Sequence, residues 1–179
     1  MFENAFAYLG LQFAKFQFRN DVDKIQPMGN FLKGARNVLI TMPVGYEYSV
    51  IAGNALRSFR DRMKDIHITV VHNSTRETPL ANFPKCVVVR LDPEDINRFS
   101  LPTKVALQRI FTREFDVAID LNLDFVLHTA YICKASLAKV RVGFTSPVSE
   151  LFFNININLN KSRTPQVIYE NFAKCLAMF

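Results

Sequence analysis

Short blocks of branched apolar residues alternate along this chain with stretches whose apolar positions recur every three or four residues. Residues 115–144 carry the pattern most fully. The block 116–121 (DVAIDL) is rich in branched apolar residues and is followed by Asn122, a turn former. Lacking clean polar alternation, it suits a parallel strand covered on both faces. Asp124 can cap a helix that presents Val126, Leu127, Ala130, Tyr131 and Leu137 along one side. Residues 140–144 (VRVGF) are strand-like again, with Gly143 near the end, where backbone approaches closely or turns. Together they make one βαβ unit, whose crossover is right-handed in nearly all cases.

The same alternation fills the rest of the chain. Strands are predicted over 37–42 (NVLITM), 66–72 (IHITVVH) and 86–91 (CVVVRL). A helix over 48–64 turns Val50, Ile51, Leu56 and Phe59 inward. Pro93 opens a helical turn over 92–97, and Thr103 caps a longer helix reaching Phe115. In 153–159 Ile155, Ile157 and Leu159 alternate with Asn154, Asn156 and Asn158, so one face is wet and the strand belongs at an edge. Thr164 and Pro165 start a closing helix over 166–178. The prediction is an α/β Rossmann-like, doubly wound, mainly parallel sheet of five or six strands over 37–179.

Two segments precede that domain. Residues 1–20 read as an amphipathic helix on which Phe2, Phe6, Leu9, Phe13 and Phe16 form one stripe, widened by Tyr8, Leu11 and Phe18. Residues 21–36, with Pro27, Gly29 and Gly34, read as a loop. The stripe is expected to meet another surface: its own domain, a second copy of the chain, a partner protein or a membrane. Modest positive charge ranks the membrane last.

Composition narrows the function classes. Among 179 residues the net charge is +6, and the basic residues are dispersed among acids, so no nucleic-acid partner is expected. The three cysteines, Cys86, Cys133 and Cys175, are far apart in apolar surroundings, which predicts free buried thiols and a cytoplasmic protein. No apolar run approaches the ~18 residues of a membrane helix, and the first twenty residues lack a signal-peptide pattern.

In open parallel sheets, ligands sit beyond the carboxyl ends of the strands. The loop after the first strand has one glycine, Gly45, and no glycine-rich phosphate motif, so no nucleotide cofactor is expected there. Glu47 at the start of the following helix is the candidate general base. Gly45, Tyr46, His72, Asn122, Asp124 and Thr145 are the candidate ligand contacts, with Asp120 at the end of the fourth strand. His67, His72 and His128 have no metal-ligand spacing, and no metal is expected.

Three stretches taken together, NVLITMPVGYEYSVIAGNALRSFRDRM, FDVAIDLNLDFVLHTAYICKASLAKVRVGF and TPQVIYENFAKCLAMF, resemble the N-terminal Rossmann-like domain of glycosyltransferase family 9, the ADP-heptose:lipopolysaccharide heptosyltransferases. The resemblance covers most of residues 36–179. Family members have Gly-Asp just after the first strand, and that Asp activates the acceptor hydroxyl. Alignment through Ala55-Leu56-Arg57 puts Glu47 and Tyr48 there, and a slip of one residue puts Glu47 at the carboxylate. The family's donor-binding second domain is expected to be absent. The resemblance therefore implies a heptosyltransferase-like binding or assembly module without independent transferase activity, with a sugar acceptor or sugar nucleotide as ligand. The alternatives are an enzyme using Glu47, alone or with a separate donor-binding partner, and a nucleotide-binding regulatory domain.

Overall fold

A computed structural model describes residues 2–21, 32, 34–57, 64–73, 80–158 and 163–177, with side chains from Ala5 to Leu176. The elements, in order, are α1 (Phe2–Gln17), β1 (Asn37–Thr41), α2 (Tyr46–Leu56), β2 (His67–His72), β3 (Cys86–Arg90), α3 (Lys104–Ile110), β4 (Val117–Asp120), α4 (Leu127–Ala135), β5 (Val140–Phe144), β6 (Ile155–Ile157) and α5 (Pro165–Ala177). The six strands form one sheet in the order β3-β2-β1-β4-β5-β6, and every pair is parallel. The fold class is as the alternation predicts, and β6 is an edge strand.

Side chains alternate across the sheet and feed two cores. Val38, Ile40 and Met42, with Val117, Ile119 and Leu121, pack towards α2 and α5. Leu39 and Ala118 pack on the other face with Ala14 and Phe18 of the α1 segment, Ala106 and Ile110 of α3, and Ala130 and Ile132 of α4. At the amino edge, Asp116 Oδ2 accepts from the backbone N–H of Arg36 (2.8 Å) and Asn37 (3.0 Å), fixing β1 beside β4. The edge strand β3 is the least covered, with Val87 and Val88 49% and 40% exposed.

Several boundaries differ from the predicted ones. Helix α2 begins at Tyr46, two residues early, and buries Ser49, Ala52, Gly53 and Leu56 while Val50 and Ile51 are half-covered. Its small residues let it lie close to the sheet and α5, which rotates the larger ones aside. Asp124 does not cap α4. That helix starts at Leu127, with Val126 as its first flanking residue and no side-chain cap. Leu137 lies beyond its end, 78% exposed at φ 57°, and takes no part in its apolar face. The predicted turn at 92–97 is a short 3-10 segment, Pro93–Asp95, closed by reciprocal Asp92 and Asp95 hydrogen bonds. Thr103 Oγ1 accepts from Ala106 N at 3.2 Å as expected, but α3 stops at Ile110. Most of the predicted loop 21–36, together with Phe59, Leu159, Met178 and the Phe2 side chain, lies outside the described residues.

Helix α1 departs most from its predicted packing. Gly10, Ala14 and Phe18 are buried and Ala7 and Leu11 half-covered, whereas Tyr8, Leu9, Phe13 and Phe16 are exposed. Close approach explains the choice. A Cβ on Gly10 would collide with the carbonyl oxygen of Phe99, so only glycine lets the helix sit there. Past its end, Phe18 stacks at 5.2 Å on Tyr131, whose hydroxyl donates to Gln17 Oε1 at 2.8 Å.

Candidate functional site

The strand order reverses direction between β1 and β4. Their following helices, α2 and α4, lie on opposite faces of the sheet, which makes this the switch point at which open α/β sheets hold their ligands. The loops 42–45 and 121–126 form its two lips.

A buried polar network ties the lips together. Thr41 and Asp120 are register partners at the ends of β1 and β4. Asp120 Oδ1 accepts from Asn122 N (3.0 Å) and Asn122 Nδ2 (2.7 Å), and Oδ2 accepts from Thr129 Oγ1 (2.9 Å). Asn122 Oδ1 then accepts from the backbone N–H of Val44 across the switch point at 3.0 Å. Burial pushes the Asp120 carboxyl above its ordinary range, and hydrogen bonds from Asn122, Thr129 and Thr41 pull it back. Tyr169 of α5 reaches in from the other side, its hydroxyl donating to Leu121 O at 2.7 Å. Cys133 closes the network beneath, 3.9 Å from Thr41 Oγ1, its thiol pushed up by burial and by the Asp120 charge. Of the three cysteines, Cys133 is buried, and Cys86 and Cys175 are half-buried.

Above this floor stands an exposed lip. Gly45 precedes α2 with ordinary extended dihedrals (φ −73°, ψ 125°) and supplies no side-chain cap. Tyr46, Glu47 and Tyr48 are exposed in the first turn, beside exposed Val44. Glu47 makes no ion pair or side-chain hydrogen bond among the described residues. Beneath them Ser49 Oγ is buried without a partner among the described residues.

The structure divides the candidates. Gly45, Tyr46, Glu47 and Asn122 converge on the switch point, with Asn122 acting between the loops. Asp124 is exposed on the second lip. His72 is 2% exposed at the end of β2, on the sheet face that carries Ile68 and Val70. His67 is exposed at the start of β2. Thr145 is exposed after β5, its N–H bonded to Ile157 O at 3.0 Å. Sequence reasoning missed Thr129 and His128. Thr129 sits one helical turn past the Asn122 loop, a spacing that could have flagged it. His128 Nε2 lies 3.2 Å from Asn73 Nδ2, and burial pushes the imidazole down to about 4. Nothing in the sequence near His128 marks that pairing. Among the described residues no His, Cys, Asp or Glu group could hold a metal ion, and no helix is long and apolar enough to cross a membrane.

A parallel 3-2-1-4-5-6 sheet with a polar switch point defines a Rossmann-like domain. The chain belongs to the family of unknown function DUF6913, which matches residues 12–179. Among solved structures it is similar to a glycosyl transferase family 9 protein from Veillonella parvula (TM-score 0.58, 16% identity, 80% of this chain and 42% of that one). It is also similar to the E. coli heptosyltransferase WaaC, solved with ADP (TM-score 0.55, 16% identity, 80% and 48%). The chain thus spans less than half the length of either. At this identity the likeness is one of fold. No curated protein matches the sequence.

Proposed function

We propose that this chain is a glycosyltransferase-like binding domain that takes a hydroxyl-rich ligand, a sugar or sugar nucleotide, at the lip Tyr46–Glu47–Tyr48, and that it does not transfer a glycosyl group alone. The observation that carries this reading is the division of labour at the switch point. Asp120 and Asn122 are spent on joining the two loops, while Glu47, flanked in sequence by exposed Tyr46 and Tyr48, makes no ion pair or side-chain hydrogen bond among the described residues. Aromatic faces cover the apolar side of a sugar ring, and a carboxylate accepts from its hydroxyls. Transfer further requires stabilisation of a departing nucleoside diphosphate, which cations or aimed N–H groups provide. The stretches 42–48, 121–126 and 145–149 contain no Lys or Arg, which favours a separate domain or partner as the source of that stabilisation.

Calorimetry against a panel of free sugars, ADP-sugars and ADP tests the reading. Binding of a sugar or sugar nucleotide that falls at least about tenfold in Tyr46→Ala and Tyr48→Ala, a loss of ~1.4 kcal/mol, is the expected result. Binding indifferent to both changes would remove the lip from consideration. Glu47 also supports a second reading, an enzyme in which it takes the proton of an acceptor hydroxyl. Glycosyl transfer by the chain alone, abolished in Glu47→Gln without loss of stability, would establish that reading over the first.

A further inference from the structure

The geometry points to α1 as the seam of a homodimer, in which the outer stripe of one copy packs antiparallel on the same stripe of a second copy. The helix is apolar on two sides. Its small face, Ala7, Gly10 and Ala14, is used up on the body, and Gly10 fixes that seating because nothing larger fits against the Phe99 carbonyl. The other large side chains point elsewhere: Tyr8 is 61% exposed, Leu9 52%, Phe13 55% and Phe16 62%, while Phe6, at the rim between the two faces, is half-covered by the Phe99 ring at 5.8 Å. A row of large apolar side chains left in water favours association with another surface.

The spacing selects the cover. Phe2, Phe6, Leu9, Phe13 and Phe16 follow a 4-3-4-3 rhythm, the narrow seam on which two helices interlock, whereas a helix lying on a membrane has a broader apolar face flanked by many cations. The rhythm is also nearly palindromic about Leu9. A two-fold axis there sets Leu9 against Leu9 of the second copy and Phe6 against its Phe13, the self-complementarity an isologous contact requires. At 100° per residue the stripe lies roughly 140° around the helix from the buried face, so the two bodies fall on opposite sides of the helix pair.

Charge and area agree. No stripe residue is ionisable, and the flanking Ala5, Gln12 and Gln17 are neutral, so the +6 net charge does not set like charges against each other across the seam. Two cations lie near the stripe's end, and Arg19 already stacks 4.1 Å above the Phe16 ring. Leu9, Phe13 and Phe16 offer roughly 340 Å² per copy, taking ~200 Å² for a fully exposed large side chain. With Phe6 and flanking atoms over a ~24 Å helix the total approaches the ~1,000 Å² of a specific interface.

The test is sedimentation equilibrium of the full chain at about 10–100 µM, the range in which an interface of this size is expected to assemble. Wild type should be dimeric, and Leu9→Glu/Phe13→Glu should be monomeric with unchanged circular dichroism and thermal midpoint. Leu9→Cys on the axis should form an interchain disulfide under mild oxidation, which wild type and Tyr8→Cys do not. A monomeric wild type overturns the proposal, as does a dimer that survives the double change. If Leu9→Glu/Phe13→Glu does not fold, the Leu9→Cys crosslink alone decides. A monomer that co-sediments with phosphatidylglycerol vesicles through the stripe assigns α1 to a membrane surface and likewise overturns the dimer.

Discussion

Asp120 and His128 sit at the same edge of the sheet and respond to pH in opposite senses. His128 is held down to about 4 from an ordinary 6.5. Its neutral form belongs to the folded state, so its contribution is complete above pH 6.5 and is lost as pH falls towards 4, at up to about 1.4 kcal/mol per pH unit. Asp120 is raised above 3.8. The fold favours its acid form, so its contribution is present below pH 3.8 and declines as pH rises through the folded value. Urea midpoints measured from pH 4 to 7 should therefore fall more steeply with acid in Asp120→Asn than in wild type. In His128→Gln they should flatten or reverse. Asn at 120 keeps an acceptor for Asn122 and can donate to Thr129 Oγ1, which makes the substitution a fair probe. An acid slope unchanged by His128→Gln would place its source elsewhere. Asp120→Ala strands Asn122 and Thr129 and should cost about 2–4 kcal/mol.

For the elements, small residues decide who packs on whom. Gly10→Ala places a methyl group against the Phe99 carbonyl, and backbone cannot yield as a side-chain tip can. We expect a loss of about 1–3 kcal/mol in urea unfolding, with the Phe18–Tyr131 contact weakened. Wild-type stability in that variant would show that α1 is not seated through Gly10. Gly143 meets the same demand within the sheet, where an added Cβ would lie 2.5 Å from the Phe153 ring. The apolar spacing of residues 1–20 was legible and α1 exists. Which of its two apolar faces is buried was not, because that depends on a carbonyl some ninety residues away in sequence. The cap of α4 was misassigned for a related reason. Asp124 has suitable chemistry, but the loop is pinned by Asn122 and Thr129, and the helix starts three residues later.

At the scale of the whole molecule, stability should be layered from the centre of the sheet outwards. β1 and β4 are buried on both faces and lie between two cores, whereas β3 exposes its valines and β6 is three residues long. Amide exchange should be slowest for Leu39, Ile40, Ala118 and Ile119. It should be fastest in Cys86–Arg90 and Ile155–Ile157, which open locally at lower cost. Equal protection in edge and centre would mean that the edges are covered by another surface. The switch point is built on the slow-exchanging strands, so its two lips are held by the most stable part of the fold.

The sequence by itself determined the class of fold. Hydrophobic period and turn residues are local properties, and six strand-like blocks separated by crossovers admit few arrangements other than a parallel sheet. It also marked the loops at the switch point, since residue type and place along a strand are readable one position at a time. Tertiary structure decided which polar groups are spent and which are spared. Asn122 and Asp124 look alike in the chain, yet one bridges two loops from a buried position and the other faces water. His72, at a strand's end, is buried. Those outcomes depend on which strands are neighbours, and β1 meets β4 across some eighty residues of chain, a distance over which no local pattern carries information.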